Sequence, residues 1–469
     1  MSAKIINSNK GLLIQGYFAF LILFTFSILF YKERILFFDT VFQFFKILNF
    51  EKFNIEAGRY SVFISQIPLL LGIKMNLPIE TCMYIFSVSF VVLYFLIFLL
   101  IAKTLKNTAV GLAFILIMIS NIDQCFFYLT TETHQALAYS VLLFALRFYD
   151  FKNRVVEFIL LTVLIVLSFF AHPVAFFCIL FVLAYYFVEK NDYKNILNYV
   201  YILFTITLLL VKLLTTPPDS YEGSFFSTLF NFIKNPDINF YSVSFFAKYI
   251  FPLYWVNLFS LILLTLIVKS SKHKVIFLTS SFFIFLFILF LTFKNGDSDV
   301  MMQRAYLPLS FFTILPLFYE LRNHAKSNVV ISSIFVIVST ISFVRIGKEG
   351  MYLHSKIQEL DVIVAQAQKT GKHKFILDKG TNDYTYEIKS WAFPFMTLVY
   401  SSMKYEQAIT MNFVDDVGKY SEYTSSEEKC NIFLGPDFWR EWRIDDLNKK
   451  YFKLSQCELY YVIDSSLLK

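Results

Sequence analysis

The residue best placed to do chemistry in this sequence is Asp39, which follows a long apolar segment at residues 11–31 by about eight residues. It lies in a second, mostly apolar run at 35–45. A carboxylate at the lip of a helical bundle can act as a general base that takes the proton of an acceptor hydroxyl. The alternative is that Asp39 faces water from a helix lying in the membrane interface.

Two further groups of ionisable residues lie in short turns between apolar segments. Asp123, Glu132 and His134 share one turn, where they could bind a divalent cation, with Asp123 as a ligand, or orient a sugar. They could equally be solvated turn residues. His172 precedes Pro173 in the next such turn, where it could line a cavity or end a helix. We treat Glu132, His134 and His172 as candidate substrate-binding residues.

Two arginines complete the set of candidate residues. Arg59 follows the first helical part of the loop after residue 31, and Arg304 opens an apolar segment at 305–320. A guanidinium group beside apolar helices can hold a phosphate through paired N–H donors. The alternative is that each side chain extends to anionic lipid headgroups.

The composition indicates that these residues belong to a membrane protein. Of the 469 residues, 57% are hydrophobic and only 16% are charged, with a mean hydropathy of +0.59. A soluble protein usually has about 25% charged residues, so lipid is the solvent that this composition suits. The sequence contains no basic run, zinc spacing or glycine-rich phosphate loop, and we therefore expect no nucleic-acid partner.

A membrane span needs roughly 20 mostly apolar residues, and the sequence predicts eleven of them. Segment 61–77 is apolar too, but contains Gln66, Pro68 and Lys74. Counting it as a span would invert the loops downstream and break the charge pattern described next, so a re-entrant or interfacial helix is expected there. The predicted spans are 11–31, 82–102, 108–128, 135–149, 155–171, 173–188, 196–214, 249–268, 275–293, 305–320 and 328–345.

The distribution of charge orients these spans. With eleven spans, the pairs or triplets of basic residues fall on one side, and the turns near Asp123 and His172 on the other side lack Lys and Arg. Basic loops face the cytoplasm, so we predict a cytoplasmic N-terminus, held by Lys4 and Lys10, and an extracytoplasmic C-terminus. The basic loop residues are Lys103, Lys106, Lys152, Arg154, Lys190, Lys194, Lys269, Lys272, Lys274, Arg322 and Lys326.

This topology divides the chain into a transmembrane domain, 1–345, and a soluble domain, 346–469, on the outer face. The first outer loop, 32–80, is expected to contain interfacial helices. From residue 345 the tail has 17 Lys and Arg against 18 Asp and Glu, so the excess of positive charge belongs to the membrane part. The tail pattern predicts an α/β fold with strands at 374–377, 408–413, 431–434 and 458–463 and helices at 357–368, 388–404 and 437–450.

The cysteines and tryptophans suggest structural roles as well as binding. Cys82, Cys125 and Cys178 lie in or beside apolar segments and are expected to be buried. Cys430 and Cys457 share the tail and could form a disulfide outside the cytosol or remain apart. Trp391, Trp439 and Trp442 could stack on sugars in a carbohydrate-binding surface, or pack in the core of the tail.

The layout of the chain resembles the GT-C class of membrane glycosyltransferases. That class has a multi-span bundle, a large first outer loop with interfacial helices and an acidic residue soon after the first span. Many members also have a soluble C-terminal domain on the outer face. The matching stretches are Phe37-Phe38-Asp39, the segment from Gly58-Arg59-Tyr60 to Pro68, and the helix start Gln303-Arg304-Ala305-Tyr306-Leu307-Pro308.

The resemblance implies an inverting sugar transfer at the outer face of a bacterial cell (inner) membrane. The donor would be a polyprenyl-phosphate-linked sugar, and the acceptor an envelope glycan, lipid or protein. Asp39 would be the general base, and Arg304 would lie near the donor phosphate. Asp123 or Glu132 would lie in the loop that supports a metal in some members. Several members have Asp-Glu where this chain has Asp39-Thr40, which puts dependence on a divalent cation in doubt.

Two other classes of function fit the same layout. A transporter should have paired repeats and ionisable residues deep in its spans, whereas here the polar groups gather at the outer side of nearly uncharged spans. A non-enzymatic assembly subunit of envelope polysaccharide biogenesis could instead use the tail to bind a protein partner. Nothing in the sequence excludes that second alternative.

Overall fold

The computed structural model describes residues 3–129, 132–220, 222–223, 227, 240–292, 299–324, 327–380, 385, 387–436 and 441–463. Up to residue 369 its regular structure is helical. The helices are α1 (Ala3–Leu29), α2 (Tyr31–Ile35), α3 (Phe38–Phe50), α4 (Phe63–Lys74), α5 (Ile79–Leu99), α6 (Thr108–Ile119), α7 (Glu132–Arg147), α8 (Arg154–Ala171), α9 (Ala175–Lys190), α10 (Ile196–Thr215), α11 (Phe240–Tyr249), α12 (Trp255–Ile267), α13 (Lys272–Thr292), α14 (Asp299–Tyr306), α15 (Leu309–Leu321) and α16 (Ser327–Lys369).

Seven helices of the described chain are long and apolar enough to cross a membrane, which confirms a helical, multi-pass membrane protein. Only 22% to 50% of their most apolar windows is buried, so their other faces expose large apolar side chains such as Leu214 and Phe251. Lipid is the medium in which such faces are stable. The seven are Lys10–Leu29, Ile79–Thr104, Arg154–Ala171, Ile196–Thr215, Tyr241–Ile267, Lys272–Leu291 and Ser327–Lys369.

The other four predicted spans fall on shorter helices. α6 has 12 residues, α15 has 13, and α7 and α9 have 16 each. Every residue of α15 is buried, as is almost all of α6 and α7. These helices pack against each other and against α8 and α12. α6, α7 and α15 form the interior of the bundle, whereas α9 buries only half of its residues.

Ionic side chains gather at two opposite ends of these helices. At one end, the Glu320 end, Lys274 Nζ lies 2.5 Å from Glu189 and 2.8 Å from Glu320, and Arg147 Nη1 lies 2.9 Å from Glu157. The Arg147 guanidinium also stacks on the Tyr186 ring, 3.5 Å from its centroid. The opposite end, which we call the Arg304 end, contains the candidate residues described below.

The first loop is helical, as the sequence predicts, and much of it is buried in the protein. α3 buries most of its side chains, among them Phe42 and Phe45, and α4 packs against α5. A short 3-10 turn, Tyr60–Val62, precedes α4. The loop is therefore a packed layer between the bundle and the tail.

α16 joins the bundle to the tail without a break. Its 43 residues extend about 65 Å at 1.5 Å per residue, roughly twice the thickness of the hydrocarbon core. The predicted domain boundary at 345/346 falls inside this helix, and the predicted helix 357–368 is its last part. A single continuous helix of this kind fixes the tail relative to the last predicted span.

The tail contains a small parallel sheet in the order β2-β1-β5, where β1 is Lys374–Asp378, β2 is Thr410–Val414 and β5 is Tyr461–Val462. β1, α17 (Phe393–Lys404) and β2 form a βαβ unit. A second sheet is an antiparallel pair of β3 (Ile432–Phe433) and β4 (Trp442–Arg443). A short helix, α18 (Ser421–Ser425), lies between β2 and β3 in the sequence. All four predicted strand regions contain a strand, so the α/β prediction is confirmed.

Two helix predictions in the tail need correction. α17 begins at Phe393 rather than at 388, because Pro394 occupies the first turn and suits a helix start. The helix predicted at 437–450 is wrong where the structure describes it. β4 and a 3-10 turn, Ile444–Asp446, occupy that segment because Trp442 pairs with Phe433 across the antiparallel strands.

The tail packs directly on α3, the helix that carries Asp39. Trp442 stacks on Phe45 at 4.8 Å between ring centroids, and Phe395 of α17 lies 5.0 Å from Phe42. At the C-terminal end of α3, the Asn448 amide N–H donates to Asn49 Oδ1 at 2.8 Å. The tail and α3 therefore share one hydrophobic core.

The cysteine predictions have definite outcomes. Cys82, Cys125 and Cys178 are buried, as expected. Cys430 and Cys457 form a disulfide, which settles the alternative that the sequence left open. The bond ties the start of β3 to the segment before β5.

We expect Trp442→Ala to weaken the contact between the tail and α3 by about 3 kcal/mol, because a large aromatic side chain leaves the shared core. Hydrogen exchange of α3 amides should rise while the remote helices α8 and α10 keep their protection. The matched control is Arg443→Ala, whose side chain is 70% exposed; a surface change of this kind costs less than about 0.5 kcal/mol. Unchanged exchange in the Trp442 variant would show that α3 does not depend on the tail.

Candidate functional site

Asp39 and Arg304 form an ion pair, with Arg304 Nη1 3.1 Å from Asp39 Oδ2. Asp39 lies in the first turn of α3, and Arg304 lies near the end of α14. The Arg304 side chain is only 13% exposed, whereas that of Asp39 is 45% exposed. The carboxylate is therefore held by a buried cation and still reaches solvent.

The backbone beside Asp39 is in an unusual conformation. Phe38 has φ of +49°, in the left-handed region that a bulky residue rarely adopts and that costs roughly 1–3 kcal/mol. Its ring lies 5.3 Å from that of Tyr128, and the Arg304 guanidinium lies 5.6 Å from the same Tyr128 ring. Packing of Phe38 on Tyr128 thus fixes the start of α3 next to Arg304.

Asp123 belongs to the same arrangement through the residue before Arg304. Gln303 is buried, and its Nε2 donates to Asp123 Oδ1 at 2.7 Å. The same oxygen accepts the Gln124 amide N–H at 2.5 Å. The pair Gln303-Arg304 therefore bridges the turn after α6 and the first turn of α3.

Arg59 and Glu132 belong to a largely buried network of four charges. Arg59 Nη1 lies 2.9 Å from Glu132 Oε2, and its Nε lies 3.1 Å from Glu222 Oε1. Lys212 Nζ lies 2.7 Å from the other oxygen of Glu222. Two cations balance two anions in this network, so it can stabilise the packing of the first loop against α7 and α10.

Burial lowers the pKa of both candidate histidines, which favours the neutral imidazole. Burial, together with the charges of Arg59, Lys212 and Arg304, lowers the pKa of His172 well below its usual value, and His172 Nδ1 accepts the Val174 amide N–H at 3.2 Å. Burial and the charges of Arg304 and Arg34 lower the pKa of His134 to about 3. His172 ends α8 and shapes the turn to α9.

The structure brings all seven sequence-predicted site residues to one end of the bundle. Asp39, Glu132, His134 and His172 are within electrostatic reach of Arg304, Arg59 joins through Glu132, and Asp123 joins through Gln303. Within the described ranges, no three His, Cys, Asp or Glu side chains converge as they would around a metal ion. The carboxylates make ion pairs or hydrogen bonds to protein groups instead.

The tryptophans of the tail have a structural role where they are described. Trp442 stacks on Phe45, and Trp391 lies 5.6 Å from Phe42. Trp439 lies outside the described residues. The two described indole rings pack between the tail and α3, so core packing accounts for them.

Sequence reasoning missed Arg34, Lys212 and Glu222 as members of this end. Arg34 could have been recognised from the sequence, because it follows the first span on the predicted outer side, where basic residues are disfavoured. The same signal identified Arg59 and Arg304. Glu222 and Lys212 have no such pattern, since only the fold brings them to Arg59.

Comparison with models of protein families, with curated proteins and with solved structures finds no match for this chain. The geometry of the site is therefore the basis for any statement about function.

The low pKa of His134 predicts a pH dependence of stability. The unfolded chain binds a proton at this histidine below about pH 6.5, whereas the folded chain does so only near pH 3. The contribution of His134 to stability is therefore fully present above pH 6.5 and falls as the pH decreases towards 3, by about 1.4 kcal/mol at pH 5.5. Thermal unfolding of the purified chain from pH 7.5 to 5 should show a smaller decline for His134→Gln than for the unchanged chain.

The control for this pH series is His273→Gln, because His273 is exposed at the start of α13. Its decline should match that of the unchanged chain. Equal declines for all three proteins would contradict the burial of a neutral His134.

Proposed function

We propose that this protein is an inverting membrane glycosyltransferase that moves a sugar from a polyprenyl-phosphate-linked donor to an envelope glycan, lipid or protein. The observation that carries the proposal is the Asp39–Arg304 pair. A partly exposed carboxylate and a buried guanidinium, 3.1 Å apart beside lipid-facing helices, are the two groups that such a transfer needs. One accepts a proton, and the other stabilises the departing phosphate.

The proposed reaction is a direct displacement at the anomeric carbon. The acceptor hydroxyl oxygen forms the new bond to that carbon as its proton passes to an Asp39 carboxylate oxygen. The bond between the carbon and the phosphate oxygen breaks, and the electron pair leaves with the phosphate. The fixed positive charge of Arg304 stabilises that developing negative charge. In the structure the same charge holds the Asp39 carboxylate in place.

We further propose that all eleven helical segments cross the bilayer. The two charged ends support this topology, because each short helix connects one end to the other. α15 runs from just after Arg304 to Glu320, α9 from just after His172 to Glu189, and α7 from Glu132 to Arg147. A helix surrounded by protein does not need a full apolar length against lipid. The shortness of these helices is therefore compatible with a crossing.

The Arg304 end and the tail are proposed to face the outside of the cell membrane. The Cys430–Cys457 disulfide supports this orientation, since structural disulfides persist in oxidising compartments. The described basic residues of the short loops, such as Arg154 and Lys274, support it as well, because they lie with the Glu320 end. In this orientation a lipid-linked donor would approach Asp39 from the outer leaflet.

We expect Asp39→Asn to reduce sugar transfer by about 100- to 10,000-fold, because the amide cannot accept the proton of the acceptor hydroxyl. The measurement is transfer of a radiolabelled sugar from polyprenyl-phosphate-linked donors in membranes. The matched control is Asp415→Asn, whose side chain is 74% exposed in the tail. It should transfer at the normal rate. Undiminished transfer by a folded Asp39 variant would overturn the role of Asp39 as the base. Transfer by the unchanged chain no greater than in membranes that lack it would favour the assembly-subunit alternative.

The orientation is testable with two lysine-to-cysteine variants at exposed positions, Lys419 in the tail and Lys152 between α7 and α8. A membrane-impermeant maleimide should label Lys419→Cys in intact cells and Lys152→Cys only after permeabilisation. The three remaining cysteines outside the disulfide are buried and should give little background. The opposite pattern of labelling would reverse the proposed topology.

A further inference from the structure

A second guanidinium group, that of Arg34, lies deep in the Arg304 end. Arg34 belongs to α2, directly after the first span, and is only 3% exposed. Among the residues that the structure describes, its Nε and Nη1 have no hydrogen-bond partner. The neighbouring Glu33 carboxylate accepts a hydrogen bond from His354 Nδ1 at 2.7 Å instead. Arg34 is thus a buried cation without a carboxylate against it in the described chain.

The contrast with Arg147 shows how unusual this is. Arg147 has the same 3% exposure, but its Nη1 lies 2.9 Å from Glu157, and its Nη2 donates to Asn198. Burial of a charge without a partner costs several kcal/mol. Burial lowers the pKa of Arg34 to about 9, which still leaves it charged at neutral pH. An anion that binds there would offset this cost.

His134 shows the same lack of partners. It is 6% exposed, and neither of its ring nitrogens has a hydrogen-bond partner within the described ranges. The charges of Arg34 and Arg304 both act on it, so it lies at the same end of the bundle as the two guanidinium groups. A neutral imidazole has one N–H to donate, and such a donor suits an oxyanion.

The turn after α6 connects the two arginines. The Arg34 guanidinium lies 4.2 Å from the Phe126 ring centroid, and that of Arg304 lies 5.6 Å from the Tyr128 ring centroid. Residues 126 and 128 are two positions apart, so a single short segment supports both cations. Stacking on an aromatic face orients a guanidinium and leaves its N–H edge available for an anion.

We propose that Arg34 and His134 form a binding site for a phosphate group next to Arg304. The Arg34 N–H groups and one His134 N–H would donate to the phosphate oxygens. The inference rests on the proposed function in one respect, the source of the anion, which is the phosphate of the lipid-linked donor. Free inorganic phosphate has the same chemistry, and the experiment separates the two sources.

The experiment uses the full chain purified in detergent and the variant Arg34→Met. In phosphate-free buffer the variant should unfold at the same temperature as the unchanged chain or a higher one, because it removes a buried charge without a partner. A polyprenyl phosphate should raise the unfolding temperature of the unchanged chain and bind at least ten times more weakly to the variant. A fall in unfolding temperature without phosphate, or equal binding by both proteins, would overturn the site.

His134→Gln tests the second donor, and Lys32→Gln is the matched control for loss of one positive charge from α2. His134→Gln should weaken binding of the polyprenyl phosphate several-fold, and Lys32→Gln should leave it unchanged. Inorganic phosphate is the comparison ligand. Binding of the polyprenyl phosphate much more tightly than inorganic phosphate identifies the lipid-linked source. Equal affinities would overturn that assignment and identify free phosphate as the ligand.

Failure of the proposed function is distinguishable from failure of this site. Asp39→Asn should keep the binding of polyprenyl phosphate, because Asp39 is not among the proposed phosphate donors. If that binding depends on Arg34 while sugar transfer is absent from the unchanged chain, the phosphate site stands and the transfer reaction does not. If transfer depends on Asp39 while Arg34→Met binds normally, the proposed function stands and the site does not.

Discussion

The ion pair between Asp39 and Arg304 joins two segments that are 265 residues apart in the chain. It can form only if the start of α3 and the end of α14 lie at the same side of the bundle. The surrounding contacts follow the same constraint. Gln303 ties Asp123 to this place, and the turn after α6 supplies the Tyr128 ring beneath the guanidinium.

The tail extends this constraint to α3. Its aromatic side chains pack on Phe42 and Phe45, one and two turns beyond Asp39, so the carboxylate sits on a helix held from both sides. The left-handed backbone at Phe38 is consistent with such restraint, because packing must offset its cost. Under the proposed function, the tail that shares a core with α3 would keep the Asp39 carboxylate in register with Arg304 from a distant helix.

The sequence predicted those parts of the fold that depend on local pattern. Apolar length located the helices, and short β-type runs located the strands, since both signals come from neighbouring residues. The helix predicted at 437–450 was wrong because the place of Trp442 is decided by Phe433 and Phe45, far away in the chain. For the site, arginines on the disfavoured side of the membrane were informative. The pairing of Arg59 with Glu222 left no local signal at all.

The two ends of the bundle differ in how their charges are satisfied, and this difference bears on function. At the Glu320 end, the buried cations Arg147 and Lys274 each contact carboxylates, as structural charges in a protein interior should. At the Arg304 end, Arg59 is balanced in the same way, but Arg34 and His134 lack hydrogen-bond partners for buried nitrogens in the described chain. A bundle that pairs these cations with carboxylates at one end, and leaves Arg34 without one in the described chain at the other, has the electrostatics that the proposed anionic ligand requires.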